Sequence, residues 1–459
     1  MAKSTMRNMT EGSVPRHLFF FALPLMVGGL LQQFYNMVDS IVVGNFVSDE
    51  ALAAVSVGWP ISYLYIALFM GMGMGATVVI SQYYGAGKHE RVHDAIDTLY
   101  TAIVVGIVPL TILAILLIHP LLGLMQVEES CYDESYTYMF VIALGLIGTI
   151  GYNANAGILQ GLGDSKTSLL FLAVAAVMNI IGDLVTVLVL DMGVGGVAFS
   201  TVGAQFVSWV FGIFYINRRY PEIAIHPFSR HFDKELFKKI IKIGLPAGIQ
   251  QSLMSVGTIV LMSKINSFGH AYISAYNLGN KLDNMAWLPI QALASACTAL
   301  VGQNVGAEDY GRAKKGIRAA VIMGVVWSLI IMCVLMPLRE AAMGIFTDNA
   351  ETIASGARYL ELIFPVYPFL VYMVCVCNGM RGAGETAYPT FCTIFSLSGL
   401  RLPLLYIIAD TYGPYYMYYS TVISWFLGGV MTFIYYRTGR WMRHGSMAKS
   451  SGDAVETEA

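Results

Sequence analysis

Charged residues are scarce in this chain. Only 12% of its 459 residues are Asp, Glu, Lys or Arg, whereas 56% are hydrophobic, and the formal net charge is −2. A soluble domain ordinarily carries about twice that share of charge, so an ordinary soluble fold is excluded. The predicted surroundings are a lipid bilayer, and no nucleic-acid partner is expected.

Cysteines and histidines give no pattern typical of an enzyme. The six cysteines fall mostly inside apolar runs, at spacings that suit neither a disulfide framework nor a zinc site. His119, His226, His231 and His270 lie in predicted loops and suggest no pair of nucleophile and base. The segment GMGMGA (71–76) lies within an apolar run, so it is not a phosphate-binding loop. We therefore predict neither an enzyme nor a protein with a cofactor.

Long apolar runs dominate the chain instead. A helix needs about 20 residues to cross the hydrocarbon core of a bilayer. Twelve runs approach or exceed this length: 18–43, 53–80, 95–118, 136–159, 168–190, 195–216, 240–265, 272–302, 317–338, 355–379, 388–408 and 415–436. The predicted fold class is an all-α polytopic membrane protein with twelve transmembrane helices.

Basic residues are unevenly distributed between the predicted loops. If the N-terminus is cytoplasmic, 22 of the 27 Lys and Arg fall in cytoplasmic segments. The loop LMQVEESCYDES on the opposite side is acidic. Because cytoplasmic loops are enriched in Lys and Arg, we expect both termini in the cytoplasm.

The chain also repeats itself. SQYYGAGKHERVHDAI (81–96) aligns with GQNVGAEDYGRAKKGI (302–317) at a shift of 221, and the same shift aligns GLGDS (161–165) with GAGET (382–386). Two six-helix halves in the same orientation are parallel repeats, and substrates of such transporters bind near the interface between repeats. The predicted domains are 1–216, a cytoplasmic linker at 217–239, 240–438, and a tail at 439–459 that is expected to be disordered.

Three polar residues interrupt the apolar runs of the first half. Asp39 lies in NMVDSIVVG, and Asn179 and Asp183 lie four residues apart in MNIIGDLVTV. An acid in a spanning helix costs roughly 2.5 to 3.5 kcal/mol and usually faces a cavity or an ion path. Two neighbouring carboxylates do not both ionise cheaply without a cation between them. We predict a site for Na⁺ or for a shared proton.

The second half lacks these polar side chains. The shift of 221 places Val260, Leu400, Leu404 and Val422 opposite Asp39, Asn179, Asp183 and Thr201. A purely structural role for the acids does not predict this one-sided loss, although acids facing interfacial water are the alternative for Asp39.

At these residues the sequence resembles a known family. LPLMVGGLLQQFYNMVDSIVVG, ILQGLGDSKTS, MNIIGDLVTV and GVGGVAFSTVGAQ resemble the multidrug and toxic-compound extrusion (MATE) family, most closely its bacterial DinF-like branch. The resemblance implies a V-shaped pair of six-helix lobes in the bacterial inner membrane. It also implies cation-driven efflux of organic, cationic compounds by alternating access, and we expect a monomer.

The resemblance assigns roles to individual residues. It implies cation or proton coupling at Asp39, Asn179, Asp183 and Thr201, with H⁺ or Na⁺ as the coupling ion. Gln32, Tyr35 and Asn153 fall where that branch has polar residues lining the substrate cavity, and Pro24 matches the proline around which the first helix bends.

The second half holds one clear acid within its eighth span. Asp283 is either a partner of Lys281 or a contact for a cationic substrate. The acids that the NorM-like branch places in spans 7 and 10 are absent here, so a second cation site is not expected.

Other transporter classes compete with this interpretation. A lipid-linked oligosaccharide flippase of the same superfamily ranks second, because only Lys281 and Arg401 could meet a pyrophosphate inside the spans. A major-facilitator transporter would carry a charged loop signature between spans 2 and 3, which YYGAGKHERVHD lacks. A channel would need a selectivity filter or a ring of charge.

Overall fold

The structure is a computed structural model that describes residues 6–125, 127–227, 229 and 231–442. Across these residues the regular structure is helical and contains no β-strand. The part of the tail prediction that concerns residues 443–459 lies outside the described residues. The α-helices of the first half are α1 Val14–Phe46, α2 Asp49–Gly85, α3 His89–Leu124, α4 Glu129–Leu144, α5 Leu146–Gly161, α6 Ser165–Asp183 and α7 Gly193–Arg219.

The second half continues in the same way. Its α-helices are α8 Lys234–Asn266, α9 His270–Gly306, α10 Tyr310–Leu335, α11 Arg339–Gly344, α12 Ala350–Ile363, α13 Tyr367–Gly382, α14 Ala387–Ile394, α15 Arg401–Tyr412 and α16 Tyr419–Arg437. Two π-helical segments, Leu184–Val189 and Phe395–Leu400, extend α6 and join α14 to α15.

The helices match the prediction of a polytopic membrane protein. Among the described residues, ten helices are long and apolar enough to cross a membrane, and the number reaches twelve if each of two bent pairs is one span. The bent pairs are Ala51–Leu64 with Phe69–Gly85, at 44°, and Glu129–Leu144 with Leu146–Gly161, at 51°. The all-α membrane fold is therefore confirmed.

The described residues form two compact units. One comprises residues 6–8 and 27–252, and the other comprises residues 9–26 and 253–442. Two long helices, α1 and α8, each contribute to both units. The acids predicted for ion coupling all belong to the first unit.

Glycines allow two helices of the first unit to approach closely. A Cβ on Gly71 would lie 2.3 Å from the carbonyl oxygen of Gly244, and a Cβ on Gly75 would lie 2.3 Å from that of Ile240. Gly71 and Gly75 on α2, like Gly244 and Gly248 on α8, are four residues apart, the spacing that lets membrane helices pack backbone against backbone. The segment GMGMGA is therefore a helix-packing motif.

Arginines at equivalent positions of the two repeats form hydrogen bonds to different segments of the chain. In the first unit, Arg91 donates from Nη1 to Asp233 Oδ2 at 2.8 Å, which fixes the start of α8. In the second unit, Arg312 donates to the backbone carbonyls of Met9, at 3.1 Å, and Glu11, at 2.6 Å. Each repeat thus uses the arginine in its first basic loop to bind a neighbouring stretch of chain.

Candidate functional site

Tight packing of α6 against α7 positions Asp183. A Cβ on Gly182 would lie 3.0 Å from the Cβ and Oγ of Ser200, so only the small Ser200 side chain separates the two helices at this level. Asp183 is fully buried at the last residue of α6, directly before the π-helical segment. Such π-helical turns are frequent at functional sites, because they redirect side chains and free backbone groups.

The carboxyl groups of Asp39 and Asp183 are neighbours that interact directly with each other. Asp39 belongs to the later half of α1, which lies in the first unit together with α6 and α7. The structure therefore brings together the two acids that the sequence analysis singled out.

Asn179 and Thr201 complete the same group. Asn179 Nδ2 donates to Thr201 Oγ1 at 3.4 Å, and Thr201 Oγ1 donates to the backbone carbonyl of Val197 at 3.0 Å. We call Asp39, Asn179, Asp183 and Thr201 the acid cluster. All four predicted coupling residues lie in one unit.

Several oxygens of the acid cluster are buried without a donor. Asp39 Oδ1, Asn179 Oδ1 and both carboxyl oxygens of Asp183 have no hydrogen-bond partner among the described residues. Buried polar atoms are almost always hydrogen-bonded in folded proteins, so four orphaned acceptors in one place need an explanation. A hard cation or a proton would satisfy them, because both bind oxygen.

Sequence reasoning missed one neighbour of the cluster. Ser200, which is buried, lies beside Asp183, but its hydroxyl is shared with Thr186 Oγ1 at 2.9 Å and with the carbonyl of Gly196 at 2.9 Å. A hydroxyl has one proton, so Ser200 cannot serve every acceptor around it. Its position one residue before Thr201 on α7 was the only signal in the sequence.

The residues predicted to line a substrate cavity occupy two places in the first unit. Gln32 lies three residues before Tyr35 on α1, and Tyr35 lies four residues before Asp39. Gln32 Nε2 donates to Tyr35 Oη at 3.4 Å. Tyr35 is near both Asp39 and Tyr152. Asn153 follows Tyr152 on α5, and its amide donates to the carbonyl of Thr149 at 2.7 Å.

Asp283 lies in the second unit, and its partners differ from the expected Lys281, whereas contact with a substrate stays a prediction. It accepts hydrogen bonds from the hydroxyls of Tyr367 and Tyr359, the latter at 3.5 Å, and Arg401 is the nearby cation. The Lys281 side chain is exposed, and the described residues show no ion pair between it and Asp283. Lys281 and Asp283 are neighbours in sequence but point differently, since positions two apart on a helix do not face each other.

Pro24 lies inside α1, which is continuous from Val14 to Phe46. A proline at an internal position removes one backbone hydrogen bond and favours a kink. The role of Pro24 as a hinge stays a prediction.

A model of the MatE family matches residues 24–185 and 246–407, which together make up most of the chain. The chain belongs to the MATE family. The two matched segments have equal length, so the family domain occurs once in each half. MATE proteins are transporters, and this chain is accordingly a membrane transport protein and not an enzyme.

Individual relatives cover nearly the whole MATE chain. It is 29% identical over 437 residues to the "Probable multidrug resistance protein YpnP" of Bacillus subtilis, with 95% of this chain and 97% of that protein covered. It is 22% identical to the "FAD transporter" of Shewanella oneidensis, covering 86% and 88%. A structure described as an outward-facing conformation of a multidrug resistance MATE family transporter matches with a TM-score of 0.88 at 22% identity, covering 96% and 99%.

The family model gives a residue offset between the two MATE repeats that differs slightly from the shift of 221 found from the motifs. The ends of the matched segments are one residue further apart, and that offset places Arg401 opposite Asn179 and Leu405 opposite Asp183. At that offset, the second unit has a cation near Asp283 where the first unit has a member of its acid cluster.

Proposed function

We propose that this MATE protein is a cation-coupled antiporter that exports organic cationic drugs or toxic compounds by alternating access. The observation that carries the proposal is the acid cluster, with its two facing carboxyl groups and four buried oxygens that lack donors. Its confinement to one repeat favours a functional role, because a structural requirement of the helix pair would apply to both repeats.

The chemistry of the cluster suits a coupling ion. Two carboxylates in contact repel each other unless they share a proton or hold a cation between them. Na⁺ would find carboxylate oxygens from Asp39 and Asp183, the amide oxygen of Asn179 and the hydroxyl of Thr201. A proton would instead bridge the two acids. In either case binding neutralises a buried charge, and this change in free energy is available to drive a conformational transition.

Exchange of substrate for ion follows from linkage between the two binding events. If the ion binds one conformation more tightly and the substrate binds the other more tightly, each ligand lowers the protein's affinity for the other by the same factor. We assign Gln32, Tyr35 and Asn153 to substrate contact in the first unit, and Asp283 to the second. Pro24 would allow α1 to bend when the acid cluster is filled. This step is a hypothesis.

The acid cluster favours a cationic substrate over the alternatives. An unfilled pair of acids would attract an organic cation, and aromatic faces near it, such as Tyr35 and Tyr152, add cation–π attraction. A lipid-linked oligosaccharide or another pyrophosphate would be repelled by the two acids and would need cationic side chains in their place. Because one relative is named a FAD transporter, an anionic substrate is the second candidate.

We further propose that both termini are cytoplasmic and that the monomer is the functional unit. The bias of Lys and Arg between loops supports the orientation.

Ethidium transport into everted membrane vesicles tests the proposal. A proton gradient and a sodium gradient are imposed separately on wild type, Asp39→Asn, Asp183→Asn and the control Asp133→Asn, whose acid is exposed on α4. We expect one gradient to drive uptake in wild type and the control, and each cluster variant to lose at least tenfold in rate at equal expression. Equal rates in all four proteins would contradict coupling through the cluster.

A further inference from the structure

Three potential metal ligands meet where the linker passes α3. His93 and Asp97 are four residues apart on α3 and so share one face of the helix. His226 follows α7 in the linker. The ligand atoms of these three side chains all lie within 4.8 Å of one another, and the two imidazole rings have centroids 5.8 Å apart.

Asp97 Oδ2 lies 3.8 Å from His93 Nδ1. Its side chain is buried, with 8% of its surface exposed, although it carries a carboxylate. Oδ2 accepts a hydrogen bond from Ser229 Oγ at 2.8 Å, whereas Oδ1 is buried and has no donor among the described residues. A buried carboxylate oxygen without a partner is costly, and a bound cation would remove that cost.

The linker is held on both sides of His226. Before it, the Asn217 side chain donates to the carbonyl of Ile225 at 2.9 Å and accepts from its N–H at 2.6 Å. After it, Thr101 Oγ1 donates to the carbonyl of Ser229 at 2.9 Å. The backbone around His226 is therefore preorganised against α3.

Neighbouring charged groups are paired elsewhere. His231 lies 3.3 Å from Asp94, and Arg91 binds Asp233 at 2.8 Å. These pairs lie on the next part of the α3 surface and leave His93, Asp97 and His226 as a separate group.

We propose that His93, Asp97 and His226 bind Zn²⁺ or another divalent transition-metal ion that prefers imidazole ligands. Two imidazoles and one carboxylate are a common ligand set for zinc, with water in the fourth position. Magnesium and calcium prefer sites made of oxygen ligands alone, so the two histidines select against them. The hydrogen bond from Ser229 orients the carboxylate as supporting residues do in known metal sites.

Only a small adjustment would close the site. Ligands at about 2.1 Å from a tetrahedral ion lie about 3.5 Å from one another. The His226 side chain is exposed and His93 has a third of its surface exposed, so rotation of the rings supplies this contraction. The same exposure gives ions in the aqueous phase access to the site. A bound ion would fasten the linker to α3.

Zinc binding by the purified full-length chain, without a histidine tag, tests the proposal. Isothermal titration in detergent compares wild type with His93→Ala, Asp97→Asn and His226→Ala. His231→Ala is the matched control, because it removes a histidine of the same linker that lies outside the group. His226→Cys replaces one zinc ligand by another and separates ligation from a merely structural role.

We expect one Zn²⁺ per wild-type chain, at least tenfold weaker binding in the first three variants, and near-normal binding in His231→Ala and His226→Cys. Mg²⁺ at the same concentration should not compete. Absence of stoichiometric Zn²⁺ binding to the wild type would overturn the proposal, and so would equal affinity in wild type and all variants. Neither result depends on transport activity, so this test is independent of the proposed function.

Discussion

The carboxyl groups of Asp39 and Asp183 face each other although they lie on helices far apart in the chain. Ser200 lies beside Asp183, but its single hydroxyl is also shared with Thr186 and Gly196. The fold therefore maintains an arrangement that is unfavourable when both acids are charged. Sites of this kind often sacrifice stability for function.

Replacing one acid of the pair should stabilise the protein. Asp39→Asn puts an amide donor beside Asp183, which satisfies an orphaned oxygen and removes charge repulsion. We expect a gain of about 1 kcal/mol, seen as a higher melting temperature in detergent at neutral pH without sodium. Asp133→Asn should leave the melting temperature unchanged. A lower melting temperature for Asp39→Asn would show that the acid pair is a stabilising element.

Close packing between α2 and α8 should make Gly75 intolerant of a side chain. Gly75→Ala places a Cβ 2.3 Å from a backbone carbonyl that has no freedom to rotate away. We expect a loss of about 1 to 3 kcal/mol, measured as a lower melting temperature. Gly73→Ala is the matched control, because its Cβ would meet its nearest atom at 3.5 Å. Equal effects of the two substitutions would contradict this packing.

The pair Asp283 and Arg401 should show strong coupling. Arg401→Ala leaves the carboxylate of Asp283 with its tyrosine partners but without the nearby positive charge, and we expect a lower melting temperature. Adding Asp283→Asn should recover much of that loss, because the uncompensated charge disappears. Thermal unfolding of both single variants and the double variant measures the coupling free energy, and strict additivity would contradict the pairing.

Asp233 should make attachment of the linker dependent on pH. Although partial burial opposes the effect, hydrogen bonds from the Leu236 and Glu235 N–H groups, together with Arg91, lower the pKa of Asp233 below its ordinary value. A lowered pKa means that the carboxylate stabilises the fold above the unfolded-state value of about 4. That contribution is lost as the pH falls through the folded-state value.

Hydrogen exchange in the first turn of α8 measures this effect. Protection should be constant from neutral pH to about pH 5, after correction for intrinsic exchange rates, and should fall in more acidic solution. In Asp233→Asn, which keeps a helix-capping side chain but loses the charge, protection should not show this fall. The same acid-dependent fall in the variant would assign it to other groups.

The membrane-spanning helices and the internal repeat could be predicted from the sequence, because long apolar runs and repeated motifs are recognised without knowledge of packing. Asp39, Asn179 and Asp183 were also predicted, because polar residues in apolar helices are conspicuous, whereas Thr201 was implied by the family resemblance. The packing role of GMGMGA was not predicted, because the glycines of α8 that face it lie far away in the chain.

Side-chain direction and loop contacts explain the remaining differences. Lys281 was considered as a partner for Asp283 because it is close in sequence, whereas Tyr367 and Arg401 come from later helices. His226 was assigned to a loop without a role, and only the path of the linker brings it to His93. Neither contact produces a periodic pattern in the sequence from which it could be predicted.

Reverse transport tests the central claim most directly. Purified protein in liposomes receives an ethidium gradient alone, while internal dyes report proton and sodium movement. The account predicts that ethidium flow drives one of the two ions in the opposite direction in wild type, and that Asp39→Asn and Asp183→Asn move no ion. Ethidium flow without ion movement in wild type would contradict antiport, and wild-type ion movement in both variants would exclude the acid cluster as the coupling site.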